Sequence, residues 1–278
     1  MEVVKTKHNL KRQLSFSGKK TTLGFVPTMG ALHKGHLSLV EHAVKENDIV
    51  VVSIFVNPAQ FNNNSDLKRY PRNLDSDLKL LENTGCDIVF SPTIKEMYPE
   101  PDNRIFDFGH LGKVMEGKYR PGHFNGVAKI VSKLFDVVKP QNAYFGLKDF
   151  QQLAVVKELA RRMYPDIRIV VCPIIRENDG LAMSSRNLLL SIAQRNEAVR
   201  IYKTLVKAKK LIHHKSVSEL TGWVTETINK NALLDVEYFE IVDDESLLPV
   251  TNWEEPAIKV GCIAVNCGDV RLIDNIVF

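Results

Sequence analysis

Over the first 175 residues, short apolar runs alternate with amphipathic stretches. Ile49 to Val56 (IVVVSIFV) is almost entirely apolar and rich in β-branched residues, which is typical of a strand buried on both faces of a sheet. Leu37 to Lys45 instead places Leu37, Val40 and Val44 three or four residues apart, the spacing of an amphipathic helix. Strands that alternate with helices in this way predict a parallel sheet. The other elements predicted in this region are strands at Leu23–Val26, Ile88–Phe90, Ala143–Phe145 and Ile167–Ile175, and helices at Leu74–Asn83, Asn125–Val138 and Asp149–Met163.

The pattern changes after residue 175. Ser191 to His214 predicts one long helix with Ser191 at its N-cap, and Ser216 to Asn229 predicts a second helix. Three strand-like runs follow them, at Val236–Val242, Ile258–Val265 and Val270–Ile276. Helices followed by consecutive strands favour a separate α+β domain. We therefore predict an α/β protein with a Rossmann-like, parallel-sheet, nucleotide-binding domain at residues 1–175 and a smaller α+β domain at residues 176–278.

The composition excludes several classes of protein. Among the 278 residues, 37 Lys and Arg face 33 Asp and Glu, and a net charge of +4 is too small for a nucleic-acid-binding surface. The longest apolar run, Ile49 to Val56, is far short of the roughly 18 to 20 residues that cross a bilayer. The first twenty residues contain no apolar signal region, and the four cysteines show no zinc-ligand spacing. We expect a cytoplasmic protein with reduced thiols and neither a membrane nor a nucleic-acid partner.

The segment Pro27 to His36 (PTMGALHKGH) lies between the first predicted strand and the first predicted helix. Ligands of open parallel sheets bind at the carboxyl ends of the strands, beside the helix N-termini. Gly30 and Gly35 permit close approach of the backbone, and a helix N-terminus after Gly35 would direct N–H groups at a phosphate. His33 and His36, one turn apart, would face the same ligand and could donate to a phosphate oxygen. Two polar residues at a helix cap would also explain the histidines.

Two later loops carry similar groups. In Phe145 to Gln152 (FGLKDFQQ), Lys148 supplies a cation for phosphate, Asp149 a helix cap or an acceptor for a ribose hydroxyl, and two glutamines offer amides to a small polar substrate. In Gly180 to Asn187 (GLAMSSRN), two hydroxyls and an arginine form a possible cradle for an anion. Each segment alone could be an ordinary helix cap.

Two further segments add candidates for the same edge of the sheet. FVNPAQF brings Asn57 and Gln60 to the end of the second predicted strand. YRPGHFNG places Arg120 and His123 just before a helix, and Arg120 is suited to a two-pronged contact with a carboxylate. The rim of the sheet is therefore rich in groups that bind anions.

Six motifs, PTMGALHKGH, FVNPAQF, YPR, RPGHFNGV, FGLKDFQQ and GLAMSSRN, follow one another in the order found in pantoate–β-alanine ligases, which the chain resembles from about residue 23 to residue 187. This family belongs to the HxGH nucleotidyltransferase superfamily. The resemblance implies an ATP-dependent acid–amine ligase of pantothenate and coenzyme A biosynthesis. ATP and pantoate would give pantoyl adenylate and pyrophosphate, and β-alanine would then release pantothenate and AMP. The alternatives are another HxGH enzyme, such as a cytidylyltransferase, and a catalytically silent nucleotide-sensing or RNA-binding domain.

The resemblance also implies roles for individual residues. The catalytic group would be His36, as proton donor, with His33, Lys148 and Arg186. Pantoate would be bound by Gln60 and Gln152, with Asn57, Arg120 and His123 as further substrate contacts. The implied ATP contacts are Met29, Gly30, Ala31, Leu32, His33, Lys34, Gly35, His36, Gly146, Leu147, Lys148, Asp149, the backbone of Ile175, Met183, Ser184, Ser185 and Arg186.

The family resemblance implies a Mg²⁺ ion that accompanies ATP and bridges its oxygens largely through water. Asp75 and Asp77 could approach that ion, but we interpret both as the solvated start of a helix, and no protein ligand of the metal is assigned. Ser65-Asp66 stands where the family commonly has a Glu-Asp pair, in a polar segment expected to close over the site. The family also implies a homodimer, in which residues 176–278 would serve as a lid over ATP.

Overall fold

The computed structural model describes residues 1–15 and 21–278, which divide into two compact units. Unit 1 consists of Met1–Leu147 and Gln152–Pro173, and unit 2 of Lys148–Gln151 and Ile174–Phe278. The chain enters unit 2 at residue 174, against the predicted 176. Residues 148–151, assigned above to the first domain, group with unit 2, where the Asn275 side chain donates a hydrogen bond to the Lys148 carbonyl oxygen.

Unit 1 contains a parallel sheet, and this part of the fold prediction is confirmed. Its strands are β1 (Glu2–Val4), β2 (Leu23–Thr28), β3 (Ile49–Ile54), β4 (Ile88–Phe90), β5 (Asn142–Gly146) and β6 (Arg168–Cys172). The strands lie in the order β1-β4-β3-β2-β5-β6, and every neighbouring pair is parallel. The order reverses between β2 and β5, which is where ligands bind in open parallel sheets. The PTMGALHKGH segment leaves β2 at this point.

The helices in the first part of the chain are α1 (Lys7–Ser15), α2 (Lys34–Glu46), α3 (Asn64–Arg69), α4 (Leu74–Leu81), α5 (Ile94–Met97), α6 (Met115–Tyr119), α7 (His123–Val138) and α8 (Phe150–Met163). Strand β1 and helix α1 were not predicted, because they are short or largely polar. Helices α2 and α7 begin three and two residues earlier than predicted; the added residues of α2 are polar or glycine and so lie outside its apolar period. Among the described residues, no helix combines the length and apolar character needed to span a bilayer.

The central strands of unit 1 are buried on both faces. Val50 and Val52 of β3 pack in one apolar cluster with Val40 of α2. Val51 packs in a second cluster, with Phe25 of β2 and Phe135 of α7. Because successive residues of a strand point to opposite faces, a continuous valine run supplies both clusters. The prediction of a doubly buried strand at β3 is confirmed.

Unit 2 has the predicted α+β composition. Its elements are α9 (Ile192–Lys209), α10 (Val217–Asn229), β7 (Leu234–Asp243), β8 (Lys259–Cys267) and β9 (Val270–Val277), with the strands antiparallel in the order β7-β8-β9. Ser191 and Ser216 begin the two helices with capping boxes. Helix α9 ends at Lys209 and not at the predicted His214, since the chain turns there and packs Leu211 against the core of the unit.

An acidic residue ties the segment before α6 to helix α7. The Asp102 carboxylate accepts hydrogen bonds from the Arg104 guanidinium at 2.9 and 2.7 Å and pairs with Lys133 Nζ at 3.1 Å. Its carbonyl oxygen accepts a hydrogen bond from Lys129 Nζ at 2.6 Å. Arg104 above all, with help from Lys133, holds the pKa of Asp102 well below its usual range, although burial acts in the opposite direction. The ionised carboxylate therefore stabilises the fold.

We predict that Asp102→Asn lowers the free energy of unfolding by about 2 kcal/mol at pH 7, because an amide is a weaker acceptor for two cations. A carboxyl whose pKa is depressed stabilises the fold above its ordinary pKa, and this contribution is lost as the pH falls through that value toward the folded-state pKa. The difference between wild type and variant should therefore shrink progressively below about pH 4. Urea unfolding at pH 7 and pH 3 measures this difference in the free energy of unfolding. The control is Asp166→Asn, which changes an exposed aspartate. An equal difference at both pH values would contradict the ion-pair explanation.

Candidate active site

The loop after β2 has an unusual backbone. Gly30 has φ +81° and Ala31 has φ +49°, so both lie in the left-handed region that favours glycine. The Thr28 hydroxyl donates a hydrogen bond to the Ser53 carbonyl oxygen at 2.7 Å and accepts one from the Gly30 N–H at 3.2 Å. A Cβ atom on Gly30 would lie 2.9 Å from a carboxylate oxygen of Asp77. Glycine is therefore required at position 30.

Asp77 of α4 holds this loop. Its two carboxylate oxygens accept hydrogen bonds from the N–H groups of Ala31 at 3.0 Å and Leu32 at 2.7 Å. The side chain is buried, with only 2% of the residue exposed. Burial raises the pKa of Asp77, while the two N–H groups lower it. The interpretation of Asp77 as part of a solvated helix start is therefore wrong, whereas Asp75 is exposed as expected.

The same hydrogen bonds limit how the loop can bind a phosphate. The family resemblance places Ala31 and Leu32 among the residues that contact ATP. Their two backbone N–H groups donate to the carboxylate oxygens of Asp77 instead. Any contact between these two residues and ATP must use other atoms.

His33 and His36 lie side by side at the start of α2. The helix begins at Lys34, with His33 as its N-cap, and not after Gly35 as predicted. His33 Nδ1 accepts a hydrogen bond from the Gly35 N–H at 3.1 Å, and His36 Nδ1 accepts one from the His33 N–H at 3.3 Å. The ring centroids are 4.1 Å apart. Because both Nδ1 atoms accept, each neutral ring carries its proton on Nε2 and can act as a donor there.

A turn of 3₁₀ helix, Pro58–Gln60, follows β3 and presents Gln60. The Gln60 Nε2 atom donates a weak hydrogen bond to the Met29 sulfur at 3.0 Å, so it meets the loop after β2. Asn57 Nδ2 donates to Gln60 Oε1 at 3.2 Å and to the Gly126 carbonyl oxygen at 3.1 Å. Asn57 Oδ1 accepts from the Tyr98 hydroxyl at 2.8 Å. Asn57 is 1% exposed, so it holds the Gln60 side chain from inside the protein.

His123 and Arg120 hold the backbone of the same turn. His123 is buried, and its Nδ1 donates to the Gln60 carbonyl oxygen at 2.8 Å. Arg120 contacts His123 Nε2 at 3.2 Å and approaches the Glu116 carboxylate at 3.4 Å. Asn57, Arg120 and His123 were predicted as substrate contacts. Their contacts in the structure favour a different role, in which they position Gln60.

Helix α7 packs directly on this turn at Gly126. A Cβ atom at that position would lie 2.1 Å from the Ala59 carbonyl oxygen and 2.7 Å from Gln60 Cα. Only glycine allows this approach. A glycine inside a helical pattern is a sequence signal of close packing, so this contact could have been found beforehand.

In unit 2, the segment after Pro173 forms a closed loop. The Met183 N–H donates to the Ile175 carbonyl oxygen at 3.0 Å, and Arg176 pairs with Ala182 in an isolated antiparallel bridge. The carbonyl group of Ile175, whose backbone was predicted to contact adenine, is therefore used inside the loop. The Ser184 hydroxyl accepts a hydrogen bond from the Arg186 N–H at 3.2 Å and caps a 3₁₀ turn, Ser185–Leu189. This turn therefore fixes the backbone position from which the Arg186 side chain extends.

The residues around Lys148 belong to two units. Gly146 ends β5, and the Leu147 N–H donates to the Cys172 carbonyl oxygen at 2.8 Å, both in unit 1. Lys148 and Asp149 lie in unit 2, and Asp149 stands just before the first residue of α8. Gln152 is half-buried in the first turn of α8 and lies in unit 1.

Within unit 1, the structure thus groups the histidine pair, Met29 and Gln60. Within unit 2, it groups the backbone of Lys148 with the loop that precedes Arg186. Sequence reasoning missed the supporting residues: the role of Asp77, Tyr98, Glu116 and Asn275. No local pattern marks Asp77, Tyr98 or Asn275, since each acts on a residue distant in the chain, whereas the i,i+4 spacing of Glu116 and Arg120 could have indicated their ion pair.

Comparisons with known proteins agree over nearly the whole chain. A family model described as "Pantoate-beta-alanine ligase" matches residues 2–277. A pantothenate synthetase of Bacteroides fragilis (strain YCH46) is 54% identical over 99% of this chain and 98% of the relative. A pantothenate synthetase of Fervidobacterium nodosum is 48% identical over 100% of this chain and 99% of the relative.

Solved structures give the same result. A crystal structure of pantothenate synthetase from Thermus thermophilus has a TM-score of 0.93 and 42% identity, and covers 99% of both chains. A pantoate–β-alanine ligase from Francisella tularensis, complexed with "Beta-gamma ATP and Beta-alanine", has a TM-score of 0.84 and 35% identity over 100% of this chain and 97% of that chain.

We predict that Gly126→Ala destabilises the protein by about 1 to 3 kcal/mol, because the new methyl group overlaps the Ala59 carbonyl oxygen. Gly222 offers a matched control, since it lies inside α10 and a Cβ atom there meets nothing within 4 Å. Gly222→Ala should stabilise by about 0.5 to 1 kcal/mol through helix propensity. Thermal and urea unfolding measure both changes. If Gly126→Ala left the free energy of unfolding unchanged, the turn would have to be able to move away from α7.

Proposed function

This chain belongs to the pantoate–β-alanine ligase family, and we propose from its geometry how its own residues carry out the reaction. The enzyme is an ATP-dependent ligase that joins pantoate to β-alanine. The observation that carries the proposal is the pair of imidazoles at the N-terminus of α2, each of which accepts a hydrogen bond at Nδ1 and so leaves Nε2 as its donor atom. Two neighbouring donors at the carboxyl end of a central strand suit a phosphate that gains charge.

The reaction requires little covalent chemistry from side chains. In the first step, a carboxylate oxygen of pantoate bonds to the α-phosphorus of ATP, the bond from that phosphorus to the bridging oxygen of the β-phosphate breaks, and pyrophosphate leaves. In the second step, the amine of β-alanine bonds to the acyl carbon, AMP leaves with the carboxyl oxygen, and the amine loses a proton to water. The protein positions these groups and stabilises the charge that develops on phosphate oxygens.

His36 and His33 supply that stabilisation in unit 1. His36 Nε2 is the proton donor to the phosphate oxygen, and His33 Nε2 donates beside it. The capping hydrogen bonds on both Nδ1 atoms fix the tautomers and the ring planes before ATP binds. Donors that are already oriented avoid a reorganisation cost during the reaction. Lys34 and Gly35 follow in the first turn of the helix, where the positive end of the helix dipole also favours an anion.

Gln60 binds pantoate. Its Nε2 atom donates to the sulfur of Met29, a weak acceptor, and can exchange that contact for a substrate oxygen at little cost. Asn57, Arg120 and His123 keep the turn in place during this exchange. Gln152 is assigned to pantoate on the family resemblance.

Unit 2 supplies two cations for ATP. The backbone of each is held by a hydrogen bond: the Lys148 carbonyl oxygen accepts from Asn275, and the Arg186 N–H donates to the Ser184 hydroxyl. A lysine and an arginine can both pair with phosphate oxygens, the arginine in a two-pronged contact. Gly146, Leu147, Asp149, Ile175, Met183, Ser184 and Ser185 are assigned to ATP on the family resemblance. A lid role for residues 176–278 is likewise proposed on that resemblance.

Mg²⁺ enters together with ATP in this proposal. Such an ion would bind phosphate oxygens and water and would need few protein ligands. In the part of the chain that the structure describes, no group of three His, Cys, Asp or Glu side chains could hold a metal. Asp77 is engaged with two N–H groups, while Asp75 is exposed at the start of α4 and could contact water around the ion. Bound to ATP, Mg²⁺ neutralises charge on the phosphates.

The compartment is proposed to be the cytoplasm. The four cysteines, all within the described residues, are buried thiols outside any disulfide. Burial raises the pKa of Cys86 to about 12 and of Cys172 to about 11, so both thiols stay protonated. Such thiols suit a reducing environment.

We propose that the enzyme is a homodimer and that β6 contributes to the interface. β6 is an edge strand of the sheet, and Val171 on it is 38% exposed. Apolar edge strands pair with other chains unless they are protected. Sedimentation equilibrium should give twice the mass of the chain, and Val171→Lys should shift the population toward the monomer. A monomeric wild type would refute the proposal.

The experiment that tests the function is pyrophosphate exchange into ATP with pantoate as the only acid and no amine. Exchange that requires both pantoate and Mg²⁺ supports the adenylate half-reaction, and added β-alanine should then yield pantothenate and AMP. Folded protein that fails to exchange would refute the proposed first step. A screen of other acids and of CTP would then test the cytidylyltransferase alternative.

We predict that His36→Ala lowers the rate of exchange by roughly 10²- to 10³-fold, the effect of losing one donor to a developing charge. Because His36 also accepts the His33 N–H, two further variants separate the roles. His36→Asn can keep an acceptor near Nδ1 but has no donor at Nε2, so it should be as slow as His36→Ala. His36→Gln can place an amide donor near Nε2 and should recover part of the rate.

The control for these variants is His42→Ala, in the same helix, whose Nδ1 contacts the Ser38 carbonyl oxygen. It should change the rate by less than about twofold. A loss of less than about fivefold in His36→Ala would remove His36 from the donor role.

A further inference from the structure

Unit 2 contains a buried ion pair that the reaction scheme does not use. Arg176 donates to both carboxylate oxygens of Asp274 in β9, at 2.7 and 2.9 Å. Asp274 is 5% exposed. The guanidinium also lies 3.8 Å from the centre of the Tyr202 ring in α9. Gly180 faces the same ring, and a Cβ atom there would lie 2.3 Å from it.

Arg176 closes the loop that leads to Arg186. Besides the ion pair, its guanidinium donates to the Gly180 carbonyl oxygen at 3.1 Å. The Glu177 N–H donates to the Leu181 carbonyl oxygen at 2.8 Å, so the hairpin between these residues is fixed at both ends. The side chain of one arginine therefore anchors the loop to β9 and α9, and the chain leaves the loop toward Met183 in a defined direction.

Asn275, the next residue of β9, holds the other segment. Its backbone N–H donates to Asp274 at 2.8 Å, and its side-chain Nδ2 donates to the Lys148 carbonyl oxygen at 3.1 Å. Asn275 is 3% exposed. Two adjacent residues of one strand thus fix both the loop before Arg186 and the backbone that carries Lys148.

We propose that Arg176, Asp274 and Asn275 are positioning residues that set the geometry of Lys148 relative to the Met183–Arg186 segment, and thereby the affinity of the enzyme for ATP. This inference rests on the proposed assignment of Lys148 and Arg186 to ATP. Pantoate is assigned to Gln60 and Gln152 in unit 1. The three residues should therefore affect ATP and pantoate differently.

A purely structural role explains the ion pair less well. A buried pair costs so much desolvation that replacing both partners with neutral groups is often harmless to stability, whereas removing one partner leaves a buried charge without compensation. Burial raises the pKa of Asp274, and Arg176 opposes that change. Two neutral side chains in place of the ion pair would no longer hold the loop in one fixed geometry.

The test uses two variants that avoid an uncompensated buried charge. Asn275→Leu keeps the same branching and the same number of non-hydrogen atoms, and removes the donor to Lys148. The double variant Arg176→Met with Asp274→Asn removes both charges and leaves an acceptor for the Asn275 N–H. The matched control is Arg271→Gln, which removes a second arginine–carboxylate pair of the same strand, to Glu237 at 2.9 Å, without touching the loop.

The readout is pyrophosphate exchange with the KM for ATP and the KM for pantoate measured separately, beside thermal unfolding. Both test variants should raise the KM for ATP about tenfold, the effect of one lost buried hydrogen bond or anchor, and change the KM for pantoate by less than about twofold. Arg271→Gln should leave both KM values within about twofold of wild type.

Three results would overturn the inference: an unchanged KM for ATP in both variants, equal changes in the two KM values, or a loss of exchange that only follows the loss of folded protein. A wild-type enzyme that shows no pantoate-dependent exchange would instead refute the proposed function. The two failures are therefore distinguishable.

Discussion

The site in unit 1 depends on the pair of hydrogen bonds from the N–H groups of Ala31 and Leu32 to the carboxylate of Asp77. They compensate for the left-handed backbone at Gly30 and Ala31, which a chain adopts only where other contacts require it. With the loop held in this form, His33 reaches the cap of α2. His36 follows one turn later, and the Met29 side chain turns toward Gln60. Asp77 is itself buried, and the same two N–H groups satisfy its carboxylate oxygens, so loop and side chain stabilise each other.

Around this centre, the residues that touch substrates in our proposal are few, and the residues that hold them are many. Gln60 is bonded by Asn57 at its side chain and by His123 at its backbone, and Arg120 holds His123 in turn. In unit 2, β9 fixes both the loop before Arg186 and the backbone of Lys148. These polar groups are hydrogen-bonded to one another inside the protein, which makes a network rigid and a partial loss costly.

Sequence reasoning succeeded where a feature is local or periodic. The valine run of β3 indicated both faces of the sheet, and Ser191 was identified as the N-cap of α9. It failed for β1, whose three residues carry no period, and for the solvated interpretation of Asp77, since burial depends on a loop 45 residues earlier. The contacts of His123 could not be predicted either, because a histidine near the start of a helix can donate to a ligand or to a backbone carbonyl oxygen equally well. Tertiary partners decide such cases, and a single sequence does not reveal them.

The division of the chain bears on how this protein can be made and altered. Lys148–Gln151 belongs to unit 2, although unit 1 residues precede and follow it in the sequence. The partner of Lys148, Asn275, lies 127 residues further along the chain. During synthesis, unit 1 can therefore complete its sheet while the Lys148 backbone still lacks its anchor. Recombination between relatives meets the same constraint: a crossover near residue 174 would exchange β9 without the segment it holds. In a recombinant protein, Lys148–Gln151 and β9 should therefore come from the same parent.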